Sequence, residues 1–300
     1  MSTRRTSRRT SLLATAALLG TTAAWGSTFF MIKDLLDRVP TLDFLAVRFL
    51  IAGVVMTLVA HRAVRSLSRE PRRHALVLGL LYGVAQILQT AGLAHTAASV
   101  SGFITGMYVV ATPLFAAVIL RSRVTGTTWG AVLLATAGLG VLTLDGFSVG
   151  YGEAITLVAS LIYALHIVGL GAWSNPAEAL GMSVVQLLVI AAVCLLATAP
   201  DGIVLPETGR DWAAIVYMAL VAGALGLVAQ TWAQAHLAPT RTAIVMSTEP
   251  VFAAFFAVLL GGEGITGRMV LGGMMVLGAM LVVELAPRRA LEGEVQHLAV

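Results

Sequence analysis

The stretch RTAIVMSTEPVFAAFFAVLLGGEG, residues 241–264, is apolar or small at almost every position from Thr242 to Leu260. That length matches the roughly 20 residues that a helix needs to cross the hydrocarbon core of a bilayer. Glu249 and Pro250 lie in its middle. A charged side chain there costs about 2.5–3.5 kcal/mol on insertion scales, and a proline removes one backbone hydrogen-bond donor. The pair therefore indicates a functional or a structural site inside a membrane span.

The whole chain has the composition of a membrane protein. Of its 300 residues, 58% are hydrophobic and 11% are charged, and the mean hydropathy is +0.90, whereas soluble domains average about 25% charged residues. Lipid is therefore expected to cover most of the apolar surface. Cys194 is the single cysteine, which excludes an intrachain disulfide.

We predict an all-α membrane protein with ten transmembrane helices, separated by charged residues and turn formers. The separations at Ala94–Thr96 and Ala233–Pro239 are short and weakly marked. The first apolar run continues to Ile32, which is too long for the core of a typical signal peptide, so it is assigned as a span. The predicted spans cover residues 12–32, 42–60, 75–93, 97–120, 126–144, 152–172, 181–199, 212–232, 242–260 and 267–286.

The distribution of basic residues predicts that both termini are cytoplasmic. In that orientation 14 Lys and Arg residues lie inside and 4 lie outside, while Arg48 falls within the second span. This asymmetry follows the positive-inside rule. The cytoplasmic tails would be residues 1–11 and 287–300. The protein is predicted to lie in the cell membrane, that is, an inner or plasma membrane. The net charge of +4 comes from arginines that flank helices, so lipid headgroups are expected partners and nucleic acid is not.

The two halves of the chain resemble each other. HTAASVSGFITGMYVVATPLFAAVILRSRVTG, from residue 95, aligns with HLAPTRTAIVMSTEPVFAAFFAVLLGGEGITG, from residue 236. Five spans in each half would invert the second half relative to the first, as in many transporters with a central site between the halves. The predicted repeats are residues 12–144 and 152–286, and a chance similarity between two Leu/Ala-rich sequences is the alternative. Two aligned pairs are 141 positions apart: His95 with His236, and Thr125-Gly126 with Thr266-Gly267. Pro113 and Pro250 are 137 positions apart. Trp25 with Tyr163, and Arg48 with Gln186, are 138 positions apart.

Four segments in order carry a family resemblance: AWGSTFFMIK (24–33), LAVRFLIAG (45–53), ATPLFA (111–116) and STEPVFAAFFAVLLGGEGIT (247–266). Together they resemble the EamA family of the drug/metabolite transporter superfamily. The resemblance implies ten helices in two inverted five-helix repeats, a central cavity, and export of amino acids or other small metabolites. The chain departs from the family after the fourth span, where ILRSRV (119–124) lacks the usual Gly-Glu-Arg run, and at Gly264, which replaces an arginine after Glu263.

Polar residues inside the spans share helical faces, which indicates a wet cavity or contacts between helices. For the glutamines and threonines, hydrogen bonding that only packs helices together is the alternative. The tyrosines can equally be core aromatics. Arg48 is interpreted as structural, through snorkelling or pairing with backbone carbonyls, with a functional role left open. The predicted substrate-binding residues are Trp25, Tyr82, Gln86, Gln89, Thr105, Tyr108, Tyr163, His166, Gln230 and Glu249.

Glu249 and His166 are the predicted proton-coupling residues. A carboxyl group withdrawn from water can exchange a proton near neutral pH, and an imidazole titrates in the same range. A structural role stays open for both, and for Glu249 it is the capping of backbone groups freed near Pro250. Pro113 and Pro250 are predicted kinks used in gating, with static kinks as the alternative. In the proline alignment the counterpart of Glu249 is Thr112.

We predict a secondary transporter that exports small metabolites, such as amino acids or amphipathic drugs, by alternating access driven by protons or by the substrate gradient. The sequence has no residues at metal-ligand spacing and no nucleophile elbow, so we expect neither an enzyme nor a bound metal or cofactor. It also lacks a G-x-x-x-x-G-K-[ST] motif, so we do not expect transport driven by ATP. One alternative is an organic-phosphate or nucleotide-sugar antiporter, for which Arg48 and His166 are the cationic candidates. Another is a non-transporting membrane scaffold or sensor. A homodimer is one assembly that the sequence leaves open.

Overall fold

The protein is built from helices joined by short turns, and no β-strand occurs among the residues described. The predicted C-terminal tail, 287–300, lies outside those residues. Of the predicted N-terminal tail, the first helix already includes Arg8 to Ser11. The computed structural model describes residues 8–120, 125–143, 150–200 and 202–284.

The described residues up to position 143 form six helices. Their bounds are α1 Arg8–Leu35, α2 Thr41–Ser66, α3 Arg69–Ala94, α4 Ala98–Thr105, α5 Tyr108–Ile119 and α6 Gly126–Thr143. Those from position 150 onward form seven more helices and one π-helical segment. Their bounds are α7 Tyr151–Trp173, α8 Ala179–Thr198, α9 Gly209–Tyr217, the π-helical segment Met218–Leu225, α10 Gly226–Gln234, α11 Pro239–Met246, α12 Glu249–Leu259 and α13 Gly267–Glu284.

Within the described chain, eight helical segments are long and apolar enough to cross a membrane. They are α1, α2, α3, α4–α5, α7, α8, the segment from α9 to α10, and α11–α12. Two shorter apolar helices cover Gly126–Val141 and Gly267–Ala279. Large apolar side chains on the outer faces, Leu58, Val59, Val118 and Leu196, are 73–79% exposed, as expected where lipid surrounds the helices. The chain is therefore a multi-pass membrane protein.

The most extensive helix contacts join helices from the two halves of the chain: α2 packs on α8, α3 on α7, and α6 on α13. Glycine allows the closest of these approaches. A Cβ atom at Gly92 on α3 would lie 2.7 Å from the carbonyl oxygen of Gly152 on α7, and a Cβ at Gly152 would lie 2.8 Å from that of Gly92. Close backbone contact through small residues is a main source of helix association in lipid. The core of the protein thus lies between the halves.

Lys33 and Glu263 hold the short turn between α3 and α4. Lys33 Nζ donates hydrogen bonds to the carbonyl oxygens of Leu93 and Ala94 at 3.0 and 2.9 Å, at the end of α3. The Glu263 carboxylate accepts the backbone N–H of Ala98, the first residue of α4, at 2.8 Å. A cation at a helix C-terminus and an anion at an N-terminus both complement the helix dipole. The weakly marked separation at Ala94–Thr96 is therefore a fixed turn.

Two of the predicted spans are broken into half-helices. The fourth span breaks at Gly106–Met107, between α4 and α5, and the ninth breaks at Ser247–Thr248, between α11 and α12. The two breaks are 141 positions apart, as His95 is from His236. Pro250 lies in the first turn of α12, where a helix does not need its N–H.

Pro113 and Pro250 lie at different positions in their half-helices. Pro113 lies inside α5 and not at the break of the fourth span. The break comes earlier, at Gly106–Met107. Pro250 packs against it, since a Cβ atom at Gly106 would lie 2.7 Å from Pro250 Cγ. The two half-helix junctions are thus in direct contact. Glu249 is the first residue of α12 and Tyr108 is the first residue of α5, so the two residues hold the same position in their half-helices.

Candidate functional site

A cavity of about 40 Å³ lies among helices from both halves of the chain. That volume holds about three water molecules, so a metabolite would fit only after the helices move apart. The structure brings all ten predicted substrate-binding residues together around this cavity: Trp25, Tyr82, Gln86, Gln89, Thr105, Tyr108, Tyr163, His166, Gln230 and Glu249. The wall also includes Thr28, Phe29, Ile32, Arg48, Thr90, Leu93, Ile167 and Met246.

A hydrogen-bonded network covers one wall of the cavity. Gln86 and Gln89 are three positions apart on α3 and therefore share a helix face. The Gln86 amide contacts Tyr163 Oη at 2.6 Å, and Tyr163 Oη contacts Gln89 Oε1 at 3.0 Å. The Gln89 amide donates to Thr105 Oγ1 on α4 at 2.9 Å. The network joins α3, α4 and α7 and fixes the orientation of these side chains.

His166 lies beside this network with one ring nitrogen unpartnered. Its Nε2 is 2.9 Å from Gln186 Oε1. The Gln186 amide nitrogen lies 3.4 Å from the Met182 carbonyl oxygen, so Gln186 Oε1 acts as the acceptor and the hydrogen is assigned to His166 Nε2. His166 Nδ1 is then an acceptor, and it has no hydrogen-bond partner among the described residues. The ring of Tyr82 packs edge-on against His166, with 5.1 Å between ring centroids.

Arg48 contributes a buried positive charge to the cavity wall. Its side chain on α2 is only 3% exposed, and its Nε donates to the carbonyl oxygen of Met218 at 3.1 Å. The guanidinium lies over the rings of Phe44 and Phe49, at 5.8 and 5.0 Å from their centroids. No carboxylate of the described residues lies within ion-pair distance of it. A buried guanidinium without an ion-pair partner is costly, so the cavity wall carries a cationic group that no carboxylate of the described residues compensates.

The π-helical segment Met218–Leu225 is bound to cavity side chains at two points. Arg48 holds the Met218 carbonyl, and Trp25 Nε1 donates to the Ala222 carbonyl at 2.6 Å. A π-helical turn leaves backbone carbonyls outside the regular α-helical pattern, and such turns are frequent at functional sites. Gly226, at the start of α10, gives the indole room, since a Cβ there would lie 2.7 Å from Trp25 Nε1. The geometry of the eighth span is therefore coupled to the cavity.

Glu249 lies at the break of the ninth span and is 5% exposed. In a continuous helix the Met246 carbonyl would accept the backbone N–H of residue 250. Pro250 has no N–H, so this hydrogen bond is missing. Tyr108 Oη supplies one, at 2.6 Å. Leaving a buried carbonyl unpaired would cost about 1–3 kcal/mol. The side chain that repairs the broken helix is therefore Tyr108, and Glu249 Oε2 lies 3.1 Å from the same hydroxyl.

A second pocket, of about 600 Å³, lies at the ends of α1 and α9 on the side predicted to be extracytoplasmic. Arg38 forms part of its surroundings by bridging α1 to α9, with Nη2 at 2.7 Å from Asp34 and 2.8 Å from Asp211. Hydrogen bonds to Asp34 and Asp211 raise the pKa of Arg38 above its usual value. Thr208 caps α9 by accepting the Asp211 N–H at 3.1 Å. These charged groups are engaged in holding helix ends.

Two features of the site go beyond the predicted substrate-binding residues. Arg48, for which a functional role is left open by the sequence, lies in the cavity wall, and a lone arginine in an apolar span is the signal for such a position. The π-helical segment has no signal in its sequence, MALVAGAL. Within the described part of the chain, no group of three or more His, Cys, Asp or Glu side chains is arranged to hold a metal ion.

The model of the EamA-like transporter family matches the chain twice, at residues 12–144 and 150–285. The chain is 25% identical over 266 residues to an uncharacterized transporter of Archaeoglobus fulgidus, covering 87% of this chain and 82% of the relative. It is also 25% identical over 262 residues to the uncharacterized inner membrane transporter YedA of Escherichia coli K12, covering 83% of both chains.

One protein of known crystal structure has the same fold. It superposes with a TM-score of 0.71 at 19% identity, over 91% of this chain and 98% of the other. At that identity the likeness concerns the fold alone.

Proposed function

Because the chain belongs to the EamA-like transporter family, and is thus a multi-pass membrane transporter, we propose that it is a secondary transporter that exports small zwitterionic metabolites. Amino acids are the substrate class that fits best. Transport proceeds by alternating access through the central cavity. Amphipathic amines are secondary substrates, since they engage one of the two charged groups.

The observation that carries this proposal is the presence of two buried ionisable side chains of opposite type, a guanidinium and a carboxyl group, in one small cavity. Arg48 and Glu249 are both almost fully buried, and neither has an ion-pair partner among the described residues. Both side chains, and Tyr82 with them, line the same cavity. A zwitterion would satisfy the two charges together, with its carboxylate on the Arg48 guanidinium and its ammonium on Glu249. A ligand with one charge leaves the other side chain uncompensated, which is costly in a low-dielectric site.

Unpartnered polar atoms support a ligand with several hydrogen-bond donors. Gln86 Oε1, His166 Nδ1 and Gln230 Oε1 are buried and have no partner among the described residues. All three side chains line the cavity. Buried polar atoms normally have partners, so these acceptors suit the N–H groups of an ammonium or of a polar side chain. They favour a zwitterion over an organic phosphate, which brings acceptors.

Glu249 is the proposed proton site, with His166 as the second titratable group of the coupling. Export of a zwitterion against its gradient needs an energy source, which here is the proton gradient. A carboxyl group that binds either a proton or the substrate ammonium couples the two fluxes. The carboxylate binds the ammonium, and protonation of Glu249 favours its release. Pro250, next to the proton site, and Pro113, in the facing half-helix, are the proposed gating positions.

The proposed architecture is ten spans in two inverted repeats, residues 12–144 and 152–286, with both termini in the cytoplasm. The fifth and tenth spans would be α6 and α13, each 18 residues long. Support comes from the double match of the family model and from the 141-residue spacing of the two half-helix junctions. The inner membrane is the proposed location, as for the relative in Escherichia coli. A homodimer stays a prediction, and light scattering of the purified protein tests it.

Flux in proteoliposomes tests the function. The panel contains neutral amino acids and, for each, the matching amine, the matching carboxylic acid and a phosphate ester of similar size, with and without a pH gradient. We expect amino acids to move fastest, and efflux to speed up when protons flow in the opposite direction. Faster flux of the phosphate esters would point to the antiporter, and no flux of any class in folded protein would point to a scaffold or sensor.

A further inference from the structure

The hydroxyl of Tyr108 has one hydrogen and two acceptors within reach. It is 2.6 Å from the Met246 carbonyl oxygen and 3.1 Å from Glu249 Oε2. Tyr108 is 2% exposed and Glu249 is 5% exposed, so bulk water has little access to the hydroxyl and the carboxyl group. A hydroxyl donates one hydrogen and accepts others. Both contacts are full hydrogen bonds only if one of the two partners brings a hydrogen of its own, and a backbone carbonyl has none.

We propose that Tyr108 is a positioning residue that links the proton on Glu249 to the geometry of the junction between α11 and α12. The proposal rests on the proton site assigned to Glu249 above and adds the group that transmits its state. When Glu249 carries a proton, its O–H donates to Tyr108 Oη and Tyr108 donates to the Met246 carbonyl. The chain of hydrogen bonds is then complete, and the arrangement described above is the stable one.

Ionisation of Glu249 changes which acceptor receives the hydroxyl hydrogen of Tyr108. A carboxylate is a stronger acceptor than a neutral carbonyl, so the Tyr108 hydroxyl turns toward Glu249. The Met246 carbonyl then has no donor, because the residue that would bond to it in a continuous helix is Pro250. A buried carbonyl without a partner favours a different arrangement of the junction. Loss of the proton therefore shifts the population of the two arrangements.

The contact between the two junctions passes this change to the first half of the chain. Tyr108 is the first residue of α5 and Glu249 is the first residue of α12. Gly106 lies against Pro250, and a Cβ atom at Gly102 would lie 2.6 Å from Ala253 Cβ. With no free space between α4 and α12, a rotation of α12 has to move α4 as well. One protonation event thus reaches half-helices of both halves.

The other titratable groups around Glu249 do not offer the same link. Tyr82 on α3 and Tyr163 on α7 line the same cavity, and neither hydroxyl is hydrogen-bonded to the Met246 carbonyl in the described chain. Arg48 on α2 and His166 on α7 line the same cavity. The described residues of α1, α4 and α13, which pack against α12, bring no titratable side chain into the cavity. Glu249 is therefore the group whose ionisation Tyr108 registers.

A distance measurement without substrate tests the inference. Spin labels replace Leu205 and Leu260, which are 55% and 61% exposed, in a Cys194→Ala background that removes the buried free cysteine. Double electron–electron resonance in nanodiscs then gives the distance distribution at acidic and alkaline pH. We expect a pH-dependent shift between two distances in the otherwise unmodified protein.

In Tyr108→Phe and in Glu249→Gln we expect this shift to be lost. The glutamine amide mimics the protonated acid by donating to Tyr108, so Glu249→Gln should keep the acidic distance at both pH values. Tyr217→Phe is the matched control, since Tyr217 bonds to Ser27 at 2.8 Å outside the cavity, and it should keep the full shift.

Three results would overturn the inference: no pH response in the unmodified protein, an unchanged response in Tyr108→Phe, or an unchanged response in Glu249→Gln. If Tyr108→Phe does not fold, an unchanged response in Glu249→Gln still overturns the inference. Because no substrate is present, absence of flux with an intact, Tyr108-dependent response would refute the proposed transport function and leave the link standing. Proton-driven flux that survives in Tyr108→Phe with an unaltered distance response would refute the link and leave transport standing.

Discussion

Replacing Arg48 with glutamine is expected to abolish the preference for substrates that carry a carboxylate while leaving the fold intact. Glutamine is a suitable replacement because Gln186 occupies the aligned position on α8 and is fully buried there. It keeps a hydrogen-bond donor for the Met218 carbonyl, which Arg48 Nε contacts at 3.1 Å. The substitution thus removes the charge and the paired donors of the guanidinium, which are the groups assigned to the substrate carboxylate.

The expected loss of substrate affinity follows from the contact proposed between the Arg48 guanidinium and the substrate carboxylate. A hydrogen bond to a charged group contributes about 1.5–3 kcal/mol, and 1.4 kcal/mol corresponds to about ten-fold in affinity. Binding of an amino acid should therefore weaken about 10- to 100-fold. Stability should not fall with it. The lost interaction with Phe44 and Phe49 costs about 0.5–2 kcal/mol, and relief from burying an unpaired charge offsets this by several kcal/mol.

The assay compares each amino acid with its decarboxylated amine, using competition against labelled substrate in proteoliposomes. The unmodified protein should prefer the amino acid, and Arg48→Gln should bind the two about equally. Arg65→Gln is the matched control, because Arg65 is on the same helix but exposed at its far end. Thermal unfolding of both variants in detergent checks that any loss of binding is not a loss of fold.

The reasoning would be refuted by an Arg48→Gln variant that unfolds at its normal temperature and still prefers the amino acid over the amine. Arg48 would then serve the π-helical segment alone, through its bond to Met218. A variant that fails to fold would also refute it, since the guanidinium would then be needed for packing and would not be held in reserve for a ligand.

Three further predictions concern topology and the half-helix junctions. Reporter tags at Ser68 and after the last residue should be cytoplasmic and one at Glu207 extracytoplasmic; a cytoplasmic tag at Glu207 would contradict the ten-span arrangement. Pro250→Ala restores a backbone donor at the break of the ninth span, so turnover should slow while the melting temperature holds or rises; unchanged turnover would remove the break from gating. Gly106→Ala places a Cβ atom 2.7 Å from Pro250, which should destabilise the protein by about 1–3 kcal/mol. Gly130→Ala, whose Cβ would meet nothing within 4 Å, is its control and should be neutral in thermal unfolding.

The membrane fold was predictable because its signals are long. Runs of about 20 apolar residues and the placement of arginines are properties of whole segments, and each of the ten predicted segments contains helix in the structure. The family resemblance is confirmed by the match of the family model to both halves. The breaks within spans were harder to locate, because they depend on contacts between distant segments. Gly106 carries no local sign that Pro250 packs against it.

The candidate residues were found by helical face, and the roles of some of them were not. Spacing of three or four along a helix shows which polar side chains point the same way, and this was enough to gather all ten around one cavity. Spacing gives no information about hydrogen bonds between helices. The roles of Tyr108 and Trp25, each bonded to a backbone carbonyl on a distant helix, therefore emerge only in the folded chain.

The pairing of Tyr108 with Glu249 suggests why a carboxyl group occurs in one half only. If the halves are inverted repeats, these two residues occupy equivalent places, and their side chains meet at 3.1 Å. Two carboxyl groups this close would compete for one proton and repel each other when ionised. Two phenols would both stay protonated near neutral pH, so neither would titrate there. One carboxyl group and one phenol give a single group that titrates, Glu249, and a neighbouring hydroxyl, on Tyr108, whose hydrogen bond changes with the protonation of that group. Exchanging them, as Tyr108→Glu with Glu249→Tyr, should leave the Met246 carbonyl without the donor that Tyr108 now supplies, because the new carboxyl group can donate only while it is protonated. We therefore expect the doubly substituted protein to lose more stability between acidic and alkaline pH than the unmodified protein loses. Equal pH profiles of thermal unfolding for the two proteins would contradict that account.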